Sequence, residues 1–203
     1  MYAIIYSVVG TPRDRMVVSA ALLIRERGAQ ATAISDVLKH SGAPRGSAYH
    51  YFPGGRTQLL EEATDYAGAY VAEKISSADD AVELLDDLME MYRQQLIRSD
   101  YRAGCPIVAV TVEAGDPDNA ERTTRLIERA AAAFALWNDL IGRGLRAHGV
   151  SRERAEELAM LVTTSMEGAI IVARASRDVK PLDLVQRQLR SLLESAIAEG
   201  NSR

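Results

Sequence analysis

Apolar residues recur at three- and four-residue spacing along almost the whole chain, and that pattern predicts one helix after another. Thr11-Pro12 reads as a helix start, a capping hydroxyl followed by proline at the first helical position. Val17, Ala20, Ala21 and Ile24 then share a face, and Gly28 marks the end. A short second helix is expected from about Ile34 to His40, with Thr32 as a cap and Gly42 as a stop. A third begins at Pro44 and is over by Tyr51. After the break at "FPGG" a long helix runs from about Arg56 to Ile75 with Leu59, Ala63, Tyr66, Tyr70 and Val71 in line.

Further on, Leu84, Leu85, Leu88, Tyr92 and Leu96 mark a helix over about 79–98. The next stretch, "GCPIVAVTVEAG", is ambiguous. Val108, Val110 and Val112 alternate like a β-strand, but it would be a lone strand with nothing to pair with. A buried helix is the expectation. After Asp116-Pro117 comes a long helix bearing Leu126, Ala130, Ala133, Phe134, Trp137 and Ile141, stopping near Gly149. Ser151 caps another, and Pro181 opens the last, with Val185, Leu189, Leu192 and Ala196 in line. The fold class is therefore all-α, about nine helices without internal repeats: a head of three short helices over residues 1–55, then a larger bundle over 56–203.

Charge sharpens that division. Residues 1–60 hold seven Lys and Arg against three Asp and Glu, a balance of +4, while the remainder holds seventeen against twenty-five, a balance of −8; together these give the net −4. A basic head on an acidic body suggests that the head meets an anion. A single cysteine, Cys105, excludes an intrachain disulfide and a thiolate metal cluster. "MYAIIYSVVG" lacks the basic region of a signal peptide, and no stretch reads as a membrane span, so a soluble, cytoplasmic protein without a membrane partner is expected.

The stretch "GAPRGSAYHYFPGGRTQL", residues 42–59, carries the chemistry. Two short helices joined by a turn at Gly42 have helix-turn-helix spacing, in which the second helix enters the DNA major groove. From Pro44 to Tyr49 that helix would be only ~9 Å long, enough to present two or three side chains. Arg45 can donate to guanine O6 and N7 as a fork, and Gly46 allows close backbone approach. Ser47, Tyr49, His50 and Tyr51 offer donors for phosphate oxygens. Thr32 and Ser35 at the second helix and Arg56 at the start of the fourth complete the expected DNA-contacting set. The rival reading is a packed aromatic corner, with Phe52 filling the space between Ile24, Val37 and Ala48.

"ALLIRERG", "TAISDVLKHSGAPRGSAYHYF" and the long helix after them resemble the TetR family of transcriptional repressors in order and spacing over residues 12–62. "FPGGRTQL" and "GCPIVAVTVEA" resemble the subgroup that includes regulators of drug-resistance and flavonoid-response genes. Family members usually carry a lysine soon after the last aromatic; here Arg56 would take that role after a Pro-Gly-Gly insertion. The resemblance implies a homodimer that grips a palindromic double-stranded DNA operator. It also implies a small-molecule inducer held by helices four to seven, an interface built from the last two helices, and Leu59–Ile75 as the lever between ligand and DNA.

Within that layout, the wide or soft side chains Tyr70, Met89, Tyr92, Tyr101, Cys105, Phe134, Trp137 and Met166 are candidate ligand contacts, suited to a planar apolar molecule. Ala155, Ala159, Val162, Ile170, Leu189, Leu192, Leu193 and Ala196 are candidate interface residues. The rival reading of each is ordinary core. Catalysis finds no footing: His40, His50 and His148 fall in no metal or hydrolase spacing, and Cys105 before Pro106 suits a buried thiol. No cofactor or metal is expected. The alternative to a DNA-reading regulator is a helical ligand-binding or interaction module without DNA-reading activity.

Overall fold

The computed structural model describes residues 10–113 and 120–201. Among them are nine helices and no strand: α1 Pro12–Arg27, α2 Ile34–Ser41, α3 Ser47–Tyr51, α4 Gly55–Ser76, α5 Ala81–Arg98, α6 Pro106–Val112, α7 Ala120–Ala147, α8 Arg152–Ser176 and α9 Lys180–Asn201. Asp116-Pro117, expected to open the long seventh helix, and the first nine residues lie outside the described residues.

The ambiguous valine stretch is α6. Ile107 and Val110, three apart, are buried, whereas Val112 is 69% exposed. The segment is thus helical as expected, but one face is covered rather than the whole circumference. The alternation of valines had no bearing on it, because no strand lies among the described residues for it to hydrogen-bond.

The chain falls into two compact units. One comprises Met1–Gly68 together with Pro106–Ala131; the other comprises Ala69–Cys105 and Ala132–Arg203. The boundary expected at 55/56 coincides with the start of α4, but the first unit continues to Gly68 and takes in a distant segment. Both α4 and α7 therefore run from one unit into the other.

In the first unit, α1 opens on a reciprocal cap: Asp14 N donates to the Thr11 hydroxyl at 3.2 Å and Thr11 N donates to the Asp14 carboxylate at 3.2 Å. The helix packs on α2 and on α6. Met16, Ile24, Val37, Ala48, Phe52, Leu59 and Leu60 are all buried. Phe52 is the largest of them, capped by the Arg13 guanidinium 5.2 Å from its ring centroid. Truncating it to alanine would cost about 3–5 kcal/mol. Gly42 closes α2 at φ +67°, a left-handed turn that glycine adopts without strain.

In the second unit, α8 packs on α9 and α5, and α9 packs on α5. Polar pairs fix the register of α9 against α5: Arg93 donates to Asp183 at 2.8 Å and to Gln186 at 2.9 Å. Asp86 accepts from Gln186 at 2.7 Å and from Arg190. Gly149 and Gly200 meet so closely that a Cβ on Gly200 would lie 2.6 Å from the Gly149 carbonyl carbon. Helix α8 also corrects an expectation. By length and composition alone it could cross a membrane, with a mean hydropathy of 1.4, yet Leu158, Val162, Ala169 and Ile170 are buried in packing within its own unit.

Candidate functional site

The head places most of the expected DNA-contacting residues outward. Ser35, Arg45, Gly46, Tyr49 and His50 are exposed, and Ser47 and Tyr51 are half-buried. Tyr49 is 71% exposed although its neighbour Ala48 is 1% exposed, so α3 turns one side to the core and the other to solvent. His50 and Tyr51 meet edge to face with centroids 5.2 Å apart. The aromatic-corner reading holds for Phe52 and not for Tyr49.

Helix α3 is shorter than its sequence suggests. Pro44 O accepts from Ser47 N at 3.0 Å and from the Ser47 hydroxyl at 2.6 Å, closing a turn before the helix begins. Arg45 and Gly46 accordingly sit in the turn rather than on the helix. A Cβ built on Gly46 would meet nothing within 4 Å, and its φ of −80° is open to any residue. The chain's own packing therefore does not demand glycine there.

Two expected contacts are used otherwise. Thr32 does not cap α2; Ala33 occupies that position, without a side-chain bond. The Thr32 side chain is 1% exposed and its hydroxyl donates to Gly28 O at 2.7 Å. Arg56 donates to Thr32 O at 2.8 Å, to Ala29 O at 2.5 Å and to Gln30 O at 2.9 Å. A guanidinium forked over three carbonyls fastens the loop between α1 and α2 to the start of α4, rather than reaching outward for phosphate.

The same loop is held from its other side by a residue the sequence did not single out. Glu113, just after α6, accepts from Gln30 N at 3.2 and 3.0 Å through its two carboxylate oxygens. Gly28 has φ +87°, and a Cβ there would lie 1.8 Å from the Glu113 carboxylate. Ala29, Gln30, Arg56, Leu60, Val110, Glu113, Thr123 and Leu126 line a shallow hollow around this junction. Next to it Glu61 accepts from Arg125 at 2.7 Å and Arg129 at 3.2 Å, and Asp65 accepts from Arg129. The segment 106–131 is thus tied to the head's unit by carboxylates and guanidinia as well as by apolar packing.

The ligand candidates all lie in the second unit. Met89, Tyr92, Cys105, Trp137 and Met166 are buried, and Tyr101 and Phe134 are half-buried. Phe134 meets Trp137 edge-on at 5.3 Å. Tyr70 is on the outside, 45% exposed, with the Lys74 ammonium 5.4 Å from its ring centroid. Polar groups lie among the apolar ones: Thr163 donates to Asn138 Oδ1 at 2.6 Å, and the Cys105 thiol donates to the carboxyl of Glu167. Burial is the main cause that pushes this carboxyl up to about 7. Glu167 had a signal in the sequence, being the single charged residue between Leu158 and Ala173.

Of the interface candidates, Ala155, Ala159, Val162, Ile170, Leu189, Leu193 and Ala196 are buried inside the chain, and Leu192 alone is exposed, at 38%. The stripe of small and apolar residues on α8 and α9 is the face with which these helices pack within their own unit. The apolar side chains left at the surface lie elsewhere around the helices: Met160, Leu161, Ile171 and Val172 on α8, and Leu184 beside Leu192 on α9. The core periodicity of these helices is strong and masks this second, weaker stripe in the sequence.

Comparison with known proteins finds two family matches along the chain. Residues 17–63 match the family "Bacterial regulatory proteins, tetR family", and residues 81–188 match "Transcriptional regulator LmrA/YxaF-like, C-terminal domain". The uncharacterised HTH-type transcriptional regulator Rv0196 of Mycobacterium tuberculosis is 64% identical over 188 residues, covering 93% of this chain and 97% of its own. The HTH-type transcriptional regulator LmrA of Bacillus subtilis is 26% identical over 189 residues, covering 91% and 98%. A TetR transcriptional regulator from Legionella pneumophila shares the fold, with a TM-score of 0.76 at 18% identity over 91% of this chain and 98% of that one. The chain belongs to the TetR family, as a transcriptional regulator with a DNA-binding helix-turn-helix and an LmrA/YxaF-like C-terminal domain, and is not an enzyme.

Proposed function

We propose that this regulator is a cytoplasmic repressor that binds a palindromic operator as a homodimer and lets go of it when a small apolar or aromatic molecule enters its C-terminal body. The observation that carries the reading is the two-sided helix α3: Ala48 and Phe52 are spent on the core, while Tyr49 stands 71% exposed beside exposed Arg45 and His50. A core needs no such outward aromatic, and a phosphate backbone does. Ser35, Gly46, Ser47 and Tyr51 fill out the same surface. Thr32 and Arg56 act behind it by fixing the loop that carries α2.

The exposed stripe of Met160, Leu161, Ile171 and Val172 on α8, with Leu184 and Leu192 on α9, supports self-association. Apolar patches of this kind mark interfaces, and a two-fold axis matches a palindrome. Met89, Tyr92, Cys105, Trp137 and Met166 supply an apolar and polarisable interior for a ligand. Release follows if ligand favours a body conformation that carries α4 and segment 106–131 with it, the two stretches through which the chain joins the units. A coupling of about 1–3 kcal/mol would change DNA affinity about 5–150-fold.

Arg45→Ala and Tyr49→Phe test the interface in parallel. The first is expected to lower affinity by about 1–3 kcal/mol and relax preference at one base pair. The second is expected to weaken binding to all sequences alike. If Arg45→Ala keeps both affinity and specificity, the surface has been assigned to the wrong residues. A ligand that binds tightly without altering DNA affinity would remove the release mechanism.

A further inference from the structure

Among the described residues of the C-terminal body, one buried carboxyl oxygen lacks a hydrogen-bond donor. Glu167 lies on α8, in the unit formed by Ala69–Cys105 and Ala132–Arg203. Its side chain as a whole is half-buried, but Oε2 has neither solvent contact nor a hydrogen-bond partner among the described residues. Among the described residues the donor to the carboxyl is the Cys105 thiol, a weak one. Thr163, one turn earlier on the same side of α8, donates to Asn138, which follows the buried Trp137. Two polar pairs, Thr163 with Asn138 and Cys105 with Glu167, therefore lie in this unit, and the second leaves one carboxyl oxygen without a donor among the described residues. Buried acceptors are almost always satisfied, and a core residue of ordinary packing would not leave one open.

We infer that the Glu167 carboxyl is the polar anchor of the effector site, and that the effector is a small apolar molecule carrying a positively charged nitrogen. The inference rests on the reading of this unit as a ligand-binding body. An ionised carboxylate only accepts, so it selects a donor, and a cationic N–H gives a shorter and stronger bond than a neutral one. An anionic ligand would meet repulsion at the same oxygen. Met89, Tyr92, Trp137 and Met166 are buried in the same unit, a source of apolar surface for the body of such a molecule, and an indole face attracts a cation. Burial has pushed the carboxyl up to about 7, so near neutral pH an incoming cation draws it readily into the ionised form. The group it would compete with is itself well placed: Cys105 is followed directly by Pro106, where the chain passes into the head's unit. A cation bound at Glu167 takes the carboxyl away from that thiol.

The probes are three molecules with one apolar body: 4-butylbenzylamine, 4-butylbenzyl alcohol and 4-butylbenzoate. Each is titrated calorimetrically into the full chain at pH 7.5. The amine is expected to bind at least ~10-fold tighter than the alcohol, with the benzoate weakest. Glu167→Gln is expected to bring amine and alcohol within about 3-fold of one another, chiefly by weakening the amine. Circular dichroism checks folding, and Glu167→Met makes the same comparison if the glutamine variant does not fold; the order of the three probes on the wild-type protein decides the matter even without variants. A benzoate that binds as tightly as the amine, an amine that gives no binding heat up to millimolar concentration, or an amine preference that survives both substitutions overturns the inference. A parallel DNA titration keeps the two readings apart. Loss of sequence-specific DNA binding in the wild-type protein counts against the repressor, whereas intact DNA binding with no charge preference counts against Glu167 alone.

Discussion

Replacing Arg56 with alanine separates a structural tie from a DNA contact. The guanidinium makes three bonds, at 2.8, 2.5 and 2.9 Å, to the carbonyls of Thr32, Ala29 and Gln30. A hydrogen bond to a charged group contributes about 1.5–3 kcal/mol net, but Arg56 is half-buried and water would reach part of the exposed loop once the side chain is gone. The loss expected for all three together is therefore about 2–4 kcal/mol. At roughly 2–4 °C per kcal/mol for a chain of this size, the melting temperature should fall by about 5–15 °C. Thermal melts monitored by circular dichroism measure that, and fluorescence anisotropy at four salt concentrations measures DNA affinity on the same samples, well below the melt. Because no phosphate contact is lost, the slope of log K against log salt should not change. A phosphate contact would remove about 0.9 from that slope. Arg56→Lys sharpens the distinction: lysine keeps the charge but lacks the fork, so it should restore little stability. A shallower salt slope with an unchanged melting temperature, rescued by lysine, would refute the structural role.

Other expectations follow from the same geometry. Ile171 is 49% exposed, so on the proposed homodimer reading Ile171→Glu should leave the chain folded while weakening self-association. A two-fold interface meets the substitution twice, at about 1.5–3 kcal/mol for each apolar side chain lost, so sedimentation should show a rise in the dimer dissociation constant of at least ~100-fold; unchanged dimers would place the interface elsewhere. Glu167 should leave a signature in the pH dependence of stability. Its carboxyl, raised from 4.5 to about 7, binds its proton more tightly in the folded state. That contribution is fully present below pH 4.5 and is lost as pH rises through about 7, by no more than about 3 kcal/mol. Urea midpoints compared between pH 5 and pH 8 should fall less in Glu167→Gln than in the wild-type protein, and equal falls would mean that the carboxyl is not perturbed.

Much of the fold was legible because local signals agreed. Thr11-Pro12, Ser151 and the glycines at 28 and 42 stop and start helices for reasons that a few neighbouring residues decide. The valine stretch of α6 was readable only by asking what a lone strand would pair with. What the sequence did not reveal depends on direction. Ala155, Ala159 and Leu189 have the periodicity of a packed face, and periodicity does not say whether the opposite face belongs to the same chain or to a second one. Arg56 was recognised as a cation at a helix start, but the carbonyls it meets lie about 25 residues away in sequence, brought near only by packing. Glu113 carries no local signal for the same reason, since its bonds to Gln30 span the distance from the start of the chain to its middle. Glu167 could have been found, because a lone acid in sixteen residues without another charge has to be explained.

The central claim is that the surface of Arg45, Tyr49 and their neighbours reads DNA sequence. The most direct test is a fluorescence-anisotropy titration of the purified protein against labelled DNA from beside its own gene and against a scrambled fragment, at two salt concentrations. Binding to the native fragment at least ~10³-fold tighter than to the scrambled one, weakening with salt, is the expected result. Equal and weak binding to both fragments, persisting when a random DNA library is offered instead, would contradict it.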